Sequence, residues 1–535
     1  MASTRSARIW TVSTIAAAIP AWSSAYAQEA AATDPPASAT PAAAAPAEPV
    51  AVPVALPLAV ASKPTPPAAD HAMWVGGISA LATGQQVSTF STDAGGALSP
   101  DSVQTFGRLR LSLALDSGAS QAVTVKGGFA AELASGSWGD VPQLFADRAP
   151  GSDLAKSLPA EGWLGLARGQ LGEVRAGLMA SHWGLGLLAN DGKPQDLGWF
   201  TVPRIGDRVV RGALVLTPWR GQRSALAGLV LSLALDDVFA DELKLAGDEA
   251  QQAVAALRWF TAADRWVGFY YAGRSQTHTS GRRLDAHAFD LATDLAFTPS
   301  FGSLRLQGEA VLLAGSTTLA PSPDFPEHAI EQAAVLLRAT AKGTAGWLAQ
   351  LDAGWFSGDT SLDDGKVQGF RADPNFQMGM LLFPQVLAWQ SGRARLAASD
   401  PDLVGRPADD LERLASGGAV GSAVAIFPKI GWNAWQGLEI YAGALLALSP
   451  SPLTDPRASR TEGGGDPRNF LGKIPDGSYL GTELAGGFRL RFAAPRRAGQ
   501  LVIGAEVAQL LPGGVLKGLE NVSGMRVTAG WLPSD

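Results

Sequence analysis

Apolar residues recur at every second position through most of the chain, in runs of about 9 to 14 residues. Leu484, Gly486, Phe488, Leu490 and Phe492 alternate with Glu483, Ala485, Gly487, Arg489 and Arg491. Leu109, Leu111, Leu113 and Leu115 alternate in the same way with Arg108, Arg110, Ser112 and Ala114. Side chains on a strand point to opposite faces in turn, so each run has one apolar face and one polar or small face. The pattern predicts strands at 74–81, 103–115, 121–133, 161–168, 173–180, 208–218, 225–235, 251–260, 265–275, 284–297, 303–315, 329–341, 345–356, 418–428, 436–448, 479–492, 499–510 and 524–532. That is eighteen segments, with sixteen also compatible with the pattern.

Such alternation suits either a soluble sandwich or a membrane barrel. Arg and Glu in mid-strand favour a hydrated lumen over a dry core. Trp347 and Trp355 end one apolar face eight positions apart, which at the usual rise and tilt is roughly 20 Å along the membrane normal. The connections also alternate in length. Short ones such as Asp116–Ala119, Thr298–Phe301 and Lys342–Thr344 are interleaved with long ones at 134–160, 181–207, 236–250, 357–417 and 449–478. Outer-membrane barrels have short periplasmic turns and long outer loops, and both termini fall here on the short-turn side. The expected fold is all-β: one closed antiparallel transmembrane barrel over 71–535.

The residues before the barrel read differently. Arg5 and Arg8 precede an apolar stretch from Ile9 to Ala21, and Ala25-Tyr26-Ala27 has the small-x-small form of a signal-peptide cleavage site. This predicts a signal peptide over 1–27. Residues 28–70 are Ala, Pro, Val and Thr almost throughout, and proline at that density forbids a membrane helix. They are expected to be a disordered periplasmic linker.

Composition narrows the chemistry. The 535 residues include no Cys, which removes disulfides, thiol catalysis and thiolate metal sites. A net charge of −7 disfavours nucleic acid as a partner. The five His are dispersed without an HExxH pair, and no GxSxG elbow, P-loop or nucleotide fingerprint occurs, so neither a cofactor nor a metal is expected. A hydrolase built from barrel-wall residues would need a Ser–His pair, with His182 or His287 as candidates.

The alternating strands and the signal peptide resemble the porin-like outer-membrane barrels of Gram-negative bacteria. A narrower likeness is to the alginate-export type of 18-stranded barrel. It is carried by the strand count, the Arg-rich inner face, Trp355-Phe356-Ser357-Gly358-Asp359 with Asp363-Asp364-Gly365, and Phe370-Arg371-Ala372-Asp373-Pro374. The resemblance implies passive passage of polar, anionic solutes or a carboxylated polysaccharide. It also implies outer-membrane lipid, lipopolysaccharide and the barrel assembly machinery as partners.

The face opposite lipid collects thirteen cations, Arg168 among them, and eleven anions. The candidate solute path is Arg108, Arg110, Arg305, Glu309, Arg489, Arg491, Glu506 and Arg526. Closure of the sheet would gather the Arg of strands 2, 16 and 18 on one sector of the wall. They either brace the wall through Arg–Glu pairs or guide anions. The apolar stretch Phe376–Gln390, inside the longest loop, either folds into the lumen or caps the barrel from outside. A plugged barrel with an adhesive or structural role is the alternative to a pore.

Overall fold

The computed structural model describes residues 73–532 except 102, 118–122, 137–159, 169–171, 193–197, 203, 205, 223, 246, 320, 322–324, 362–363, 400–414, 436, 456–457, 460–465 and 494–498. The expected signal peptide and linker lie outside the described residues.

Eighteen long strands make up the wall. They are β1 (Met73–Val87), β2 (Gln104–Asp116), β3 (Thr124–Gly136), β4 (Glu161–Arg168), β5 (Gly172–Ala180), β6 (Arg208–Leu216), β7 (Leu229–Ala240), β8 (Glu249–Ala262) and β9 (Arg265–Thr277). The other nine are β10 (Arg283–Phe297), β11 (Gly302–Thr317), β12 (His328–Gly343), β13 (Trp347–Phe356), β14 (Val424–Trp435), β15 (Leu438–Leu448), β16 (Tyr479–Ala493), β17 (Gln500–Pro512) and β18 (Val522–Leu532). Each pairs antiparallel with its neighbours in sequence. β1 closes the sheet on β18, with Ala80 opposite Trp531 and Val87 opposite Gly524. A closed antiparallel sheet leaves no strand edge to face hydrocarbon, which is the condition for crossing a bilayer with strands. Among the described residues no helix is long and apolar enough to cross a membrane.

The period-2 pattern sorts the two faces as expected for an outer-membrane porin-like barrel. On β16, Leu484, Phe488 and Phe492 point outward and are exposed, while Glu483 and Arg489 point inward and are buried. Trp347 and Trp355 both lie on the outer face of β13. The first residue of β1 and the last of β18 lie at the short-turn end.

Three details depart from the sequence pattern. Residues 225–228 form a 3₁₀ turn, with the Ser224 side chain accepting from Leu226 N, so β7 begins at Leu229. β14 starts six residues later than the expected 418, because Gly418 (φ 86°) and Ser422 (φ 45°) hold the chain out of extended geometry. Arg168 shares the outward parity of Leu164 and Leu166 and is exposed at the short-turn edge, so it is not a lumen cation.

The outward face generates a stability prediction. Leu111→Arg, in the middle of β2 and facing lipid, should cost about 2–4 kcal/mol of folding free energy. Ser112→Arg, on the adjacent inward position, should cost less than about 1 kcal/mol. Denaturant titration of both variants folded into vesicles measures the difference.

Candidate functional site

Two long loops enter the lumen from the long-loop end. The connection 357–423 turns inward and carries π-helical turns Leu382–Leu387 followed by α1 (Ala388–Ser399). Every residue from Phe376 to Trp389 is buried. The apolar stretch therefore lies inside the barrel, where Met380, Leu382, Phe383 and Val386 pack with inward wall residues such as Phe427, Leu445 and Leu510. The connection 181–207 joins the same core through Leu187, Trp199 and Phe200. The two loops also hold each other. Gln377 Nε2 donates to Val202 O at 2.9 Å, Val202 N donates to Gln377 Oε1 at 3.0 Å, and Asp373 N donates to Leu187 O at 2.8 Å.

Backbone inside a barrel needs hydrogen-bond partners in place of water. Three wall carboxylates supply them. Glu483 on β16 accepts from Met380 N and, at 2.9 Å each, from Leu381 N and Leu382 N. Glu309 on β11 accepts from Leu185 N and, at 3.1 Å, from Leu187 N. Glu506 on β17 accepts from Phe200 N at 2.9 Å and from the Tyr441 hydroxyl at 2.9 Å. A residue in left-handed geometry stands at each anchor: Gly379 (φ 79°), Gly184 (φ 57°) and Phe200 (φ 64°). At Gly379 a side chain would meet the Glu483 carboxylate at 2.8 Å, so only glycine allows this approach. Left-handed residues turn successive N–H groups toward one point and form a concave anion seat.

A second set of wall carboxylates is held by cations rather than by loop backbone. Glu132, fully buried, receives Arg108 at 2.5 Å, Arg110 at 3.1 Å and Arg208 at 3.3 Å, and Arg110 also reaches Glu161 at 2.5 Å. Asp352 sits between Arg338 and Lys429, at 2.6 Å from each. Glu173 is shared by Lys126 at 3.3 Å and Arg175. Each of these groups leaves one unit of positive charge uncompensated.

The eight candidate path residues divide between the loop anchors and the wall ion pairs. Arg526 pairs with Glu506 and is almost fully buried; Arg489 lies 3.8 Å from Glu439 and donates to Gly198 O at 3.2 Å. Tyr441 links this sector, donating to Glu506, stacking on Trp199 at 5.2 Å and meeting Phe200 edge-on at 5.3 Å. Arg491 is half-buried on the same strand as Arg489. Arg108 and Arg110 meet at Glu132, and Arg108 also donates to Gly192 O and Arg204 O of the 181–207 loop. Arg305 is paired with Asp294 at 2.5 Å yet keeps 56% of its side chain exposed to the lumen, while Glu309 anchors the 181–207 loop.

The sequence reading did not single out one further group. Asp207, Glu242 and Asp373, one from each of three loops, bring carboxylate oxygens within 4.8 Å of one another. Burial raises Asp207 and Asp373 well above the usual carboxylate range, with the neighbouring acids adding to the shift. Glu242 keeps an exposed side chain, but enclosure by protein, then Asp241, raises it to about 7. Its loop is clamped by Asp248, which accepts from Gln276 Nε2 at 2.7 Å and bonds His278 Nδ1 at 2.7 Å. His278 faces Thr279 at 3.3 Å, His287 faces the Tyr271 hydroxyl at 2.9 Å, and His182 lies 3.6 Å from Asp191; none of these contacts pairs a histidine with a serine.

The Glu483 anchor should be measurable by proteolysis. Glu483→Ala strands three buried N–H groups and should destabilise loop docking by about 3 kcal/mol, raising protease cleavage within 357–423 roughly 100-fold while the barrel stays closed. Glu483→Gln retains an acceptor and should raise cleavage by less than about tenfold.

No protein-family model and no curated protein matches the chain. Among solved structures it is similar to Pseudomonas aeruginosa OccK11 (OpdR), at 12% identity and TM-score 0.45 over 86% of this chain and 96% of that one. It is also similar to OccK8 (OprE) from the same organism, at 11% identity and TM-score 0.46 over 85% and 97% of the two chains. A third is OccK2 (OpdF) in complex with glucuronate, at 10% identity and TM-score 0.43 over 86% and 96%. At such identities a likeness concerns fold alone.

Proposed function

We propose that the protein is an outer-membrane channel that passes polar, anionic solutes, small carboxylates and carboxylated sugars foremost, with both termini in the periplasm. One observation carries this reading: three ion-pair groups on the wall hold more cations than carboxylates. The buried Glu132 faces three Arg, and Asp352 faces Arg338 and Lys429. Rings and ladders of fixed charge set the selectivity of a pore, and a guanidinium holds a carboxylate in two-point contact. Arg305, the most exposed of the paired wall cations, offers such a contact to lumen water. Solutes would pass lipopolysaccharide, the loops and this arginine-rich wall.

The apolar core that two loops build inside the barrel favours a second reading, a plugged barrel with an adhesive or structural role. Planar-bilayer recording of the purified protein separates the two: a pore gives discrete conductance steps, and a plugged barrel gives none.

Selectivity gives a sharper outcome. Arg489→Gln with Arg491→Gln should lower the anion-to-cation permeability ratio by about twofold or more, read from reversal potentials in a salt gradient. An unchanged reversal potential would mean that these arginines only brace the wall and its loops.

A further inference from the structure

Asp290 on β10 and Glu309 on β11 are neighbouring acids on the inner wall. The register sets Ala292 opposite Glu309 and Asp290 opposite Val311, so the two carboxyls are diagonal neighbours on the inner face. They are 1% and 2% exposed, and their side chains lie within hydrogen-bonding reach of each other. Among the described residues, neither forms an ion pair. Both Asp290 oxygens are buried without a donor in full hydrogen-bond geometry; the indole Nε1–H of Trp183, itself buried without a well-placed acceptor, approaches Asp290.

The charged and titratable groups around the pair come from every element packed on it. From β8, Arg258 sits 4.5 Å from the rings of Trp183 and Trp266 and is attracted to Asp294, which lies on the same strand as Asp290. From β9, Tyr270 is the register partner of Asp290, and its own charged neighbours are Arg211, Asp236 and Asp207. From the 181–207 loop come Trp183 and the peptide N–H groups of Leu185 and Leu187, both of which are held by Glu309.

Two ionised carboxylates in contact repel strongly where water is scarce, and such a pair binds one proton in common. A shared proton also joins Asp290 to Glu309 and leaves Glu309 free to accept the loop amides. We propose that Asp290 and Glu309 hold one proton between them and that this proton latches the 181–207 loop to the wall, making loop docking dependent on pH. The sign follows from linkage: docking is complete while the proton is bound and is lost as pH rises and the pair gives it up. Asp290 thereby acts as a positioning residue, through Glu309.

The chain has no Cys, so single cysteines can report on the loop. Ala189→Cys is buried in the docked loop, and Ser280→Cys is exposed in the β9–β10 turn as the reference for thiol ionisation. The full-length protein, folded into vesicles, is labelled with a water-soluble maleimide between about pH 6 and about pH 9. The ratio of the two labelling rates should rise about tenfold across this range when Asp290 is present. With Asp290→Asn, whose amide donates to Glu309 at every pH, it should stay within about twofold. Glu309→Gln, the mirror substitution, should be equally flat and serves if Asp290→Asn fails to give the heat-modifiable band of a closed barrel. A flat ratio with Asp290 present, or the same rise in both amide variants, overturns the latch. The readout does not use conductance, so it holds whether the barrel is open or plugged.

Discussion

A carboxylate reaching from the wall to the peptide N–H groups of an infolded loop is the contact on which the interior depends. The closed sheet satisfies its own backbone, but a loop that enters the lumen leaves water behind and brings unpaired N–H groups with it. Hydrogen bonds to a charged acceptor are worth about 1.5–3 kcal/mol each. Glu483 makes three of them and Glu309 two. These five bonds sit at two points, and they fix where the apolar stretches of both loops come to rest. Leu381, Leu382 and Phe383 then pack against the wall because their backbone is already pinned.

The wall carboxylates therefore divide by what satisfies them. Glu483 and Glu309 are held by loop backbone, Glu132, Asp352 and Glu173 by Arg and Lys, and Glu506 by both, since it accepts from Phe200 N and pairs with Arg526. Burying ion pairs is costly unless the geometry is complete. Tyr441 joins the two kinds of contact, because it donates to Glu506, stacks on Trp199 and meets Phe200 edge-on while Arg489 lies over its ring.

The wall was legible in the sequence because a barrel strand has one simple demand, alternation, and every residue of the strand reports on it. All eighteen segments were found, and errors such as those at β7 and β14 lie at ends, where a cap at Ser224 or left-handed backbone at Gly418 and Ser422 overrides the alternation. Phe376–Gln390 showed that something apolar had to be hidden, without showing where. The anchors were not legible. Glu309, Glu483 and Glu506 look like any other inward acid on a strand, and the amides they hold carry no side-chain signature. The left-handed turn at Phe200 has no glycine to announce it. The Asp207, Glu242 and Asp373 cluster draws on three separate loops, so no spacing along the chain could reveal it.

The sequence distances across the anchors have a consequence for how the molecule is made. Met380 N is held by a residue 103 positions later, Leu185 N by one 124 later and Phe200 N by one 306 later. None of these contacts exists until β11, β16 and β17 have taken their places in the wall. Phe200 waits for nearly the last strand of the chain. The infolded loops therefore have no complete seat on an unclosed sheet, and the interior can be finished only after the wall. A variant that loses an anchor but keeps the wall would close its sheet with the loops unseated.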